Sequence, residues 1–502
     1  MKPTPTHYLA CDLGAESGRV ILGTLDGGQL SIEELHRFPT GALPILGTLR
    51  WDILHIFDEI RTGLLKAGRR GLPVSGISTD SWGLDYVLLR GNEPLLTAPY
   101  HYRDPRTDDG FERAFAVVPR AEIFAQTGIQ FMTINTLYQL HDDVRSRPEL
   151  LALAETFLTI GDYFNFLLSG TRAIEESLAS TTQLYDPLRH TWATALIERL
   201  GIPSRLFPKV VPSGARLGSL QAGLVPAGSA AGVWEKTEIL ATCSHDTGAA
   251  VAAVPAEEGD DWAYLSSGTW SLLGIENAAP LLGEEALREN FTNEIGYGGT
   301  IRFLKNIVGL WIVQECRRTW SEAGLELSYE RLARESAEAE PLRSLIHPAS
   351  AVFVKPGAMP QKIADYCRAT GQPIPETPGQ IFRCALDSLA LLYASTLEVL
   401  ERLSGRRITR LYIVGGGSRN EVLNQATADA LGRPVHAGPA EATAIGNLLI
   451  QALALGHLGK GAGLAELRHV VRASFPPFTY HPQKPDRWRA ARDRFAQLPI
   501  IA

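Results

Sequence analysis

The residues in this sequence best suited to chemistry lie in Thr242-Cys243-Ser244-His245-Asp246-Thr247-Gly248-Ala249-Ala250-Val251. A short β-like run, Glu238-Ile239-Leu240-Ala241, precedes them, and a small-residue helical run, Gly248 to Val254, follows. Asp246 therefore stands where a strand hands over to a helix N-terminus. Unpaired backbone N–H groups and the positive end of the helix dipole favour anionic ligands at such a place. A carboxylate there commonly does no more than cap the helix. The other turns of the chain bear on whether this one does more.

Three further small-residue turns each follow a β-like run: Asp12–Gly18, Ser266–Thr269 and Gly415–Ser418. Glycine lets the backbone approach a ligand and aim successive N–H groups at phosphate oxygens. One such turn is weak evidence, but four in order, two of them on matching hairpins, are much stronger. No G-x-x-x-x-G-K-[ST] occurs, and no G-x-G-x-x-G opens a helix after the first strand, so neither a P-loop nor a dinucleotide fingerprint is present.

The elements that must hold these turns can be read from periodicity. His7–Cys11, Val20–Leu25 and Leu30–Phe38 form a meander joined at Gly-containing turns. Asp52 is placed to cap a helix carrying Ile53, Ile56, Phe57, Ile60 and Leu64. Strands follow at Val74–Thr79 and Tyr86–Leu89. Tyr100 to Leu200 is mostly helical, with a buried helix at Asp162–Gly170, and the Pro/Gly-rich stretch Pro203–Gly232 is expected to be irregular. After the polar turn Pro255–Asp261 the opening pattern recurs: strand Trp262–Leu265, turn Ser266–Thr269, strand Trp270–Ile275, a weak internal repeat. Asn306–Trp320 is expected to be helical, Gln380–Leu403 is a long amphipathic helix closed by Gly405, and Leu411–Val414 is a strand. Helices are expected up to Leu431 and over Ala442–Leu455, where Gly446 suits close packing. The tail from Phe475 is expected to wrap the surface.

At 502 residues the chain is too long for one ordinary core, so two domains or more are expected. With 45% apolar and 21% charged residues it can bury large cores. A net charge of −7 and no long Lys/Arg run speak against nucleic acid as a partner. No apolar run is long enough for a membrane span, and the polar Met1–Thr6 leads into a strand, not a signal peptide. Five scattered cysteines without a C-x-x-C fit neither a disulfide framework nor a zinc site; Cys367 and Cys384 are expected to be buried free thiols. A soluble cytoplasmic α/β protein is expected.

Several longer stretches are distinctive. They are Asp12-Leu13-Gly14-Ala15-Glu16-Ser17-Gly18-Arg19, Asp80-Ser81-Trp82-Gly83-Leu84-Asp85-Tyr86, Tyr102-Arg103-Asp104, Asn135-Thr136-Leu137-Tyr138-Gln139-Leu140 and Ser244-His245-Asp246-Thr247. Later come Ser266-Ser267-Gly268-Thr269-Trp270, Leu304-Lys305-Asn306-Ile307, Gly309-Leu310-Trp311 and Val414-Gly415-Gly416-Gly417. In this order, over nearly the whole chain, they resemble the FGGY family of carbohydrate kinases, within the actin/Hsp70/hexokinase-like superfamily. The Asp80–Tyr86 stretch and His245-Asp246-Thr247 resemble the members that act on L-rhamnulose more than xylulose or glycerol kinases.

The resemblance implies an α/β fold of two duplicated RNase-H-like domains flanking a catalytic cleft, residues 1–254 for the sugar and the base and 255–502 for the nucleotide. It implies ATP and Mg²⁺, with the small-molecule sugar L-rhamnulose as acceptor, and a monomer or small homo-oligomer. Asp246 is implied as general base, and Asp12 as the residue orienting hydrated Mg²⁺. Ala15, Glu16, Ser17, Gly18 and Arg19 are implied to hold the β- and γ-phosphates, with Thr269 as a further phosphate contact and Gln314 and Gly416 at the adenosine. Gly83, His245, Asp246, Thr247 and Asn306 are implied to line the sugar site, with the flat face of Trp82 either a wall for the sugar or part of the core. Arg19 has a second reading as the partner of a carboxylate, and Glu16 is expected to point away from the phosphates. Another ketose, such as L-fuculose or a pentulose, and a non-catalytic sugar or nucleotide sensor remain as alternatives.

Overall fold

A computed structural model describes residues 4–226, 232–257, 259 and 261–501. Met1 to Pro3 of the polar N-terminus, residues 227–231 of the Pro/Gly-rich stretch, and Glu258 and Asp260 of the polar turn lie outside the described residues.

The chain divides into two units that interleave in sequence. The first comprises Met1–Ala253, Glu276–Phe303 and Ala442–Ser474; the second comprises Val254–Ile275, Leu304–Glu441 and Phe475–Ala502. The first is built on a six-stranded sheet. Strand Thr6–Leu13 pairs antiparallel with Ser17–Asp26, which pairs antiparallel with Gln29–Pro39. On its other side Thr6–Leu13 runs parallel to Val74–Ser81, which is followed by Glu238–Ala241 and Ala215–Ser219. This last strand orders part of the stretch expected to be irregular: Arg216, exposed, pairs with Leu240, Leu217 is buried, and positive-φ Gly214 and Gly218 bound the run.

Helix Ile53–Gly68 starts where Asp52 accepts the His55 amide, and it buries Ile53, Ile56, Ile60 and Leu64. Helix Ile160–Ser169 is buried along nearly its whole length and ends at left-handed Gly170. Helix Ala442–Ala454 covers the sheet from late in the chain. Its Gln451 Nε2 donates to the Leu9 carbonyl at 2.9 Å.

The second unit repeats the opening motif. Strand Trp262–Ser267 pairs antiparallel with Trp270–Asn277 and parallel with Arg410–Val414. This is the same one-antiparallel, one-parallel pairing that Thr6–Leu13 makes. The 27-residue helix Pro378–Ser404 begins with a capping box, Thr377 and Gln380, and ends at left-handed Gly405.

Two further expectations fail here. The helix expected from Asn306 begins at Trp311, and Asn306 lies in the strand Ile301–Val308. The β-branched pair Ile307-Val308 prolongs the strand. The chain then turns at Gly309, which presses so closely on Ser271 that no side chain would fit. The tail from Phe475 is more than a surface wrap. Phe478–Tyr480 adds an edge strand antiparallel to Val435–Ala437, and Pro485–Ala496 is a helix that buries Trp488 and Phe495. All five cysteines are buried and free, and Cys367 and Cys384 neighbour each other as thiols. Among the described residues no helix is long and apolar enough to cross a membrane.

Candidate active site

In the first unit the candidate residues gather at the ends of three parallel strands. Asp12 and Asp80 are register partners on Thr6–Leu13 and Val74–Ser81. Ser244 continues from Glu238–Ala241, and its carbonyl accepts the Ser81 amide at 2.8 Å. Helix Asp246–Ala252 then begins, with His245 at its cap position. Parallel strands put their C-terminal ends on one edge, so the loops leaving them converge there.

The Asp246 carboxylate takes its hydrogen bonds on Oδ1, from the Thr247 amide at 2.5 Å and the Thr247 hydroxyl at 3.2 Å. His245 Nε2 stands 3.4 Å from the same oxygen. Desolvation raises the pKa of Asp246, opposed by His245, the Thr247 hydrogen bonds and Arg302. Its side chain nevertheless remains 30% accessible, so it lies in a crevice crowded by protein and open on one side. A carboxylate held this way is a stronger proton acceptor than one in water, and the hydrogen bonds from Thr247 leave its Oδ2 unengaged.

The loop bearing it is fixed from behind by groups with no counterpart in the sequence reading. Glu175, fully buried, accepts the Ser244 amide at 2.9 Å, the Ser177 amide at 3.0 Å and the Ser213 hydroxyl at 2.6 Å, and it also takes the Ser177 hydroxyl. Ser177 Oγ accepts the His245 amide at 3.0 Å. Burial raises the Glu175 pKa while these donors oppose it. The sequence signal was slight: a Glu-Glu-Ser at the start of a short helix reads as a cap, which it is, and nothing local shows that it also holds a loop 69 residues on. Arg302 and Glu294 were also missed, because a lone charge in an apolar run such as Ile301-Arg302-Phe303-Leu304 reads as a solvated edge.

Asp12 is buried and ion-paired with Arg19 across the first hairpin, so of the two readings of Arg19 the structure shows the carboxylate partner. Between them the turn is closed by the Gly14 amide on the Ser17 carbonyl at 3.0 Å and pinned by the Thr40 hydroxyl on the Gly14 carbonyl at 2.6 Å. Gly18 is packed against the Phe38 ring, and Ala15 and Ser17 are half-buried. Glu16 is exposed. Asp80 is wholly buried, and its Oδ2 accepts from Asn447 at 2.6 Å. Burial, and then the charge of Asp12, push its pKa well above the ordinary carboxylate range, with Asp246 adding to the effect.

Gly83 sits beside Thr181 in a loop that contains positive-φ Leu84. Trp82 belongs to the core and is no sugar wall. It is 6% exposed, stacks on Trp51 with ring centroids 4.0 Å apart, and donates to Asp85 at 3.1 Å. Asp85 also accepts from Trp51 and Gln139, so this cluster sets the loop carrying Gly83. Gly248 packs against Cys243 and leaves room for the Arg302 guanidinium.

Within the second unit, Thr269 and Gly416 lie in the turns that follow two paired parallel strands, and Gln314 lies on a helix. The Thr269 carbonyl accepts the amides of Gly309 and Trp311, which opens the helix Trp311–Glu322 that carries Gln314. Gln314 Oε1 is buried without a hydrogen-bond partner. The turn after Arg410–Val414 packs Gly415 and Gly417 on Ser267, while a side chain at Gly416 would meet nothing within 4 Å. An orphaned acceptor and an open glycine suit a nucleoside that brings its own donors. Asn306, in its strand, is half-buried. Among the described residues no cluster of three or more His, Cys, Asp or Glu is arranged to hold a metal by itself.

Two family profiles match the chain: the N-terminal domain of the FGGY family of carbohydrate kinases over residues 7–253 and its C-terminal domain over residues 263–455. The chain belongs to the FGGY family of carbohydrate kinases. It is 43% identical over 489 residues to a rhamnulokinase of Bacteroides thetaiotaomicron, spanning 97% of this chain and 98% of that one. It is 38% identical to a rhamnulokinase of Bacillus subtilis over 96% of both. Among solved structures, the gluconate kinase of Lactobacillus acidophilus superposes with a TM-score of 0.78 at 14% identity, covering 98% of this chain and 97% of that one. The xylulose kinase of Rhodospirillum rubrum gives 0.75 at 21% identity over 99% and 98%. At these identities the structures speak for the two-domain FGGY fold alone. As an FGGY kinase the protein is an enzyme that phosphorylates a carbohydrate.

Proposed function

We propose that the protein transfers the γ-phosphoryl group of ATP to the 1-hydroxyl of L-rhamnulose, giving L-rhamnulose 1-phosphate and ADP in L-rhamnose catabolism. The observation that carries this reading is Ser244-His245-Asp246-Thr247 at the sheet edge, with a raised pKa at Asp246, in a chain 43% identical end to end to a rhamnulokinase. Asp246 Oδ2 takes the proton of the sugar's 1-hydroxyl as that oxygen bonds to the γ-phosphorus. The bond to the ADP oxygen breaks, and the proton passes on to solvent. A loose transition state asks little of the base, so alignment and charge neutralisation supply most of the acceleration.

Gly83, His245, Thr247 and Asn306 bind the sugar hydroxyls. The hairpin residues Ala15 to Gly18 and Thr269 hold the phosphates, with Arg19 kept beside them by its pair with Asp12, while Gln314 and Gly416 receive the adenosine. Asp12, in a region already dense in carboxylates, is the residue that would orient a hydrated Mg²⁺, which neutralises phosphate charge when bound. Five buried free thiols accord with a reducing cytoplasm. The test is coupled ADP release over a panel of ketoses. Greatest kcat/KM on L-rhamnulose supports the reading. A preference for L-fuculose or a pentulose replaces the substrate, and ATP binding without turnover on any sugar replaces the kinase with a sensor.

A further inference from the structure

His245 is held between the carboxylate of Asp246 and a buried charge pair. Arg302 has no accessible side-chain surface. Its Nη2 lies 3.1 Å from His245 Nδ1 and 3.1 Å from the Ile295 carbonyl, its Nε 3.3 Å from that carbonyl, and its Nη1 3.2 Å from Glu294 Oε2. On the far side of the ring, Nε2 faces Asp246 Oδ1 at 3.4 Å. A guanidinium is always charged and only donates. The imidazole nitrogen it touches must therefore present a lone pair, and the ring's single hydrogen must be on Nε2. Glu294 Oε2 competes for Nδ1 at 3.3 Å. Of the two, only the Arg302 contact has hydrogen-bond geometry; Glu294 Oε2 is a charge-pair neighbour of both Nδ1 and Arg302 Nη1 and makes a hydrogen bond to neither.

We propose that Arg302 is a positioning residue for phosphoryl transfer that fixes His245 as the Nε2–H tautomer, so that the ring donates toward Asp246 and the sugar oxygen beside it. With its hydrogen on Nε2, the ring turns a donor toward Asp246 Oδ1, which already accepts from Thr247, and Oδ2 is left to take the proton. The other tautomer would set a ring lone pair against the carboxylate and turn both groups out of line. The backbone of His245 is independently held through Ser177 and Glu175, so Arg302 is needed for the proton's place and not for the loop's course. The catalytic part of this inference rests on the kinase reading; the tautomer does not.

The test uses the full chain labelled with ¹⁵N at its twelve histidines. The His245 signals are assigned by their loss in His245→Asn, and steady-state kinetics are run alongside. In the native protein the hydrogen is expected on Nε2. Arg302→Met is expected to mix or reverse the tautomer and to lower kcat roughly 10- to 100-fold with KM for ATP unchanged. Arg302→Lys, which keeps a donor, is expected to recover part of both. A native ring that carries its hydrogen on Nδ1, or on both nitrogens, overturns the inference whatever the turnover, and it needs no variant to fold. Arg302→Met with native tautomer and native kcat overturns it too. Absence of turnover by the native protein on every ketose overturns the kinase reading instead.

Discussion

Gly446 stands so close to Ala249 that a methyl added at Gly446 would overlap the Ala249 carbonyl oxygen. The two helices in contact are Ala442–Ala454, which covers the sheet, and Asp246–Ala252, which begins with the proposed base. Alanine is the better helix former by about 1 kcal/mol. A backbone oxygen cannot swing aside as a side chain can, so the overlap prevails, at about 1–3 kcal/mol of overpacking. Gly446→Ala is therefore expected to lower the denaturant midpoint and, by displacing Asp246, to reduce kcat more than KM. Equal midpoints for variant and native protein would refute this.

Asp246→Asn keeps the size of the side chain and its acceptor for the Thr247 amide, but it cannot take a proton. Turnover on the preferred ketose is expected to fall roughly 100- to 10,000-fold. Calorimetry should show ATP binding essentially unchanged. A variant that retains a tenth or more of the native kcat would remove Asp246 from the role of base.

Gln314→Leu tests the nucleotide assignment. The native Oε1 is buried without a partner, so replacing the amide costs the protein no internal hydrogen bond. Melting temperature should hold or rise, while KM for ATP rises about tenfold, the value of one lost hydrogen bond. A fall in stability with unchanged KM would make Gln314 a structural residue.

Asp162 lies beneath the loop network, accepting from Thr159 at 2.6 Å and from the Glu175 amide at 3.1 Å. Burial pushes its pKa up to about 8. A carboxyl whose pKa is raised on folding binds more protons in the native state, so stability falls as pH rises from about 4, through the window up to about 8, and levels off above. Melting temperatures of Asp162→Asn should be flatter than native across this window. Parallel curves would show that Asp162 does not titrate with folding.

Local pattern made the hairpins, the capped helices and the Gly446 contact readable, because periodicity, caps and glycine placement are properties of neighbouring residues. Asn306 was misplaced because a short apolar run fits strand and helix alike, and its outcome was set by Gly309 meeting Ser271. Trp82 could not be assigned from its own stretch, since its stacking partner Trp51 lies 31 positions earlier. Arg302, Glu294 and Glu175 support the His245–Asp246 loop from other segments, and a buried polar partner leaves no mark near the group it serves. Asp80 was visible within a motif, yet only the strand register shows it beside Asp12.

The first unit ends its packing with Ala442–Ser474, where Asn447 meets Asp80, Gln451 meets Leu9, and Ser474 accepts the Leu30 amide at 2.9 Å. Protein synthesis releases the chain from its N-terminus, so nine-tenths of it must leave the ribosome before the earliest strands find their last partners. Until then the face of the sheet that Ala442–Ala454 covers is exposed apolar surface, and holding chaperones have their longest opportunity during this interval. Nascent chains arrested short of this segment should have the Thr6–Leu13 hairpin cut readily by protease, and chains arrested well beyond it should resist.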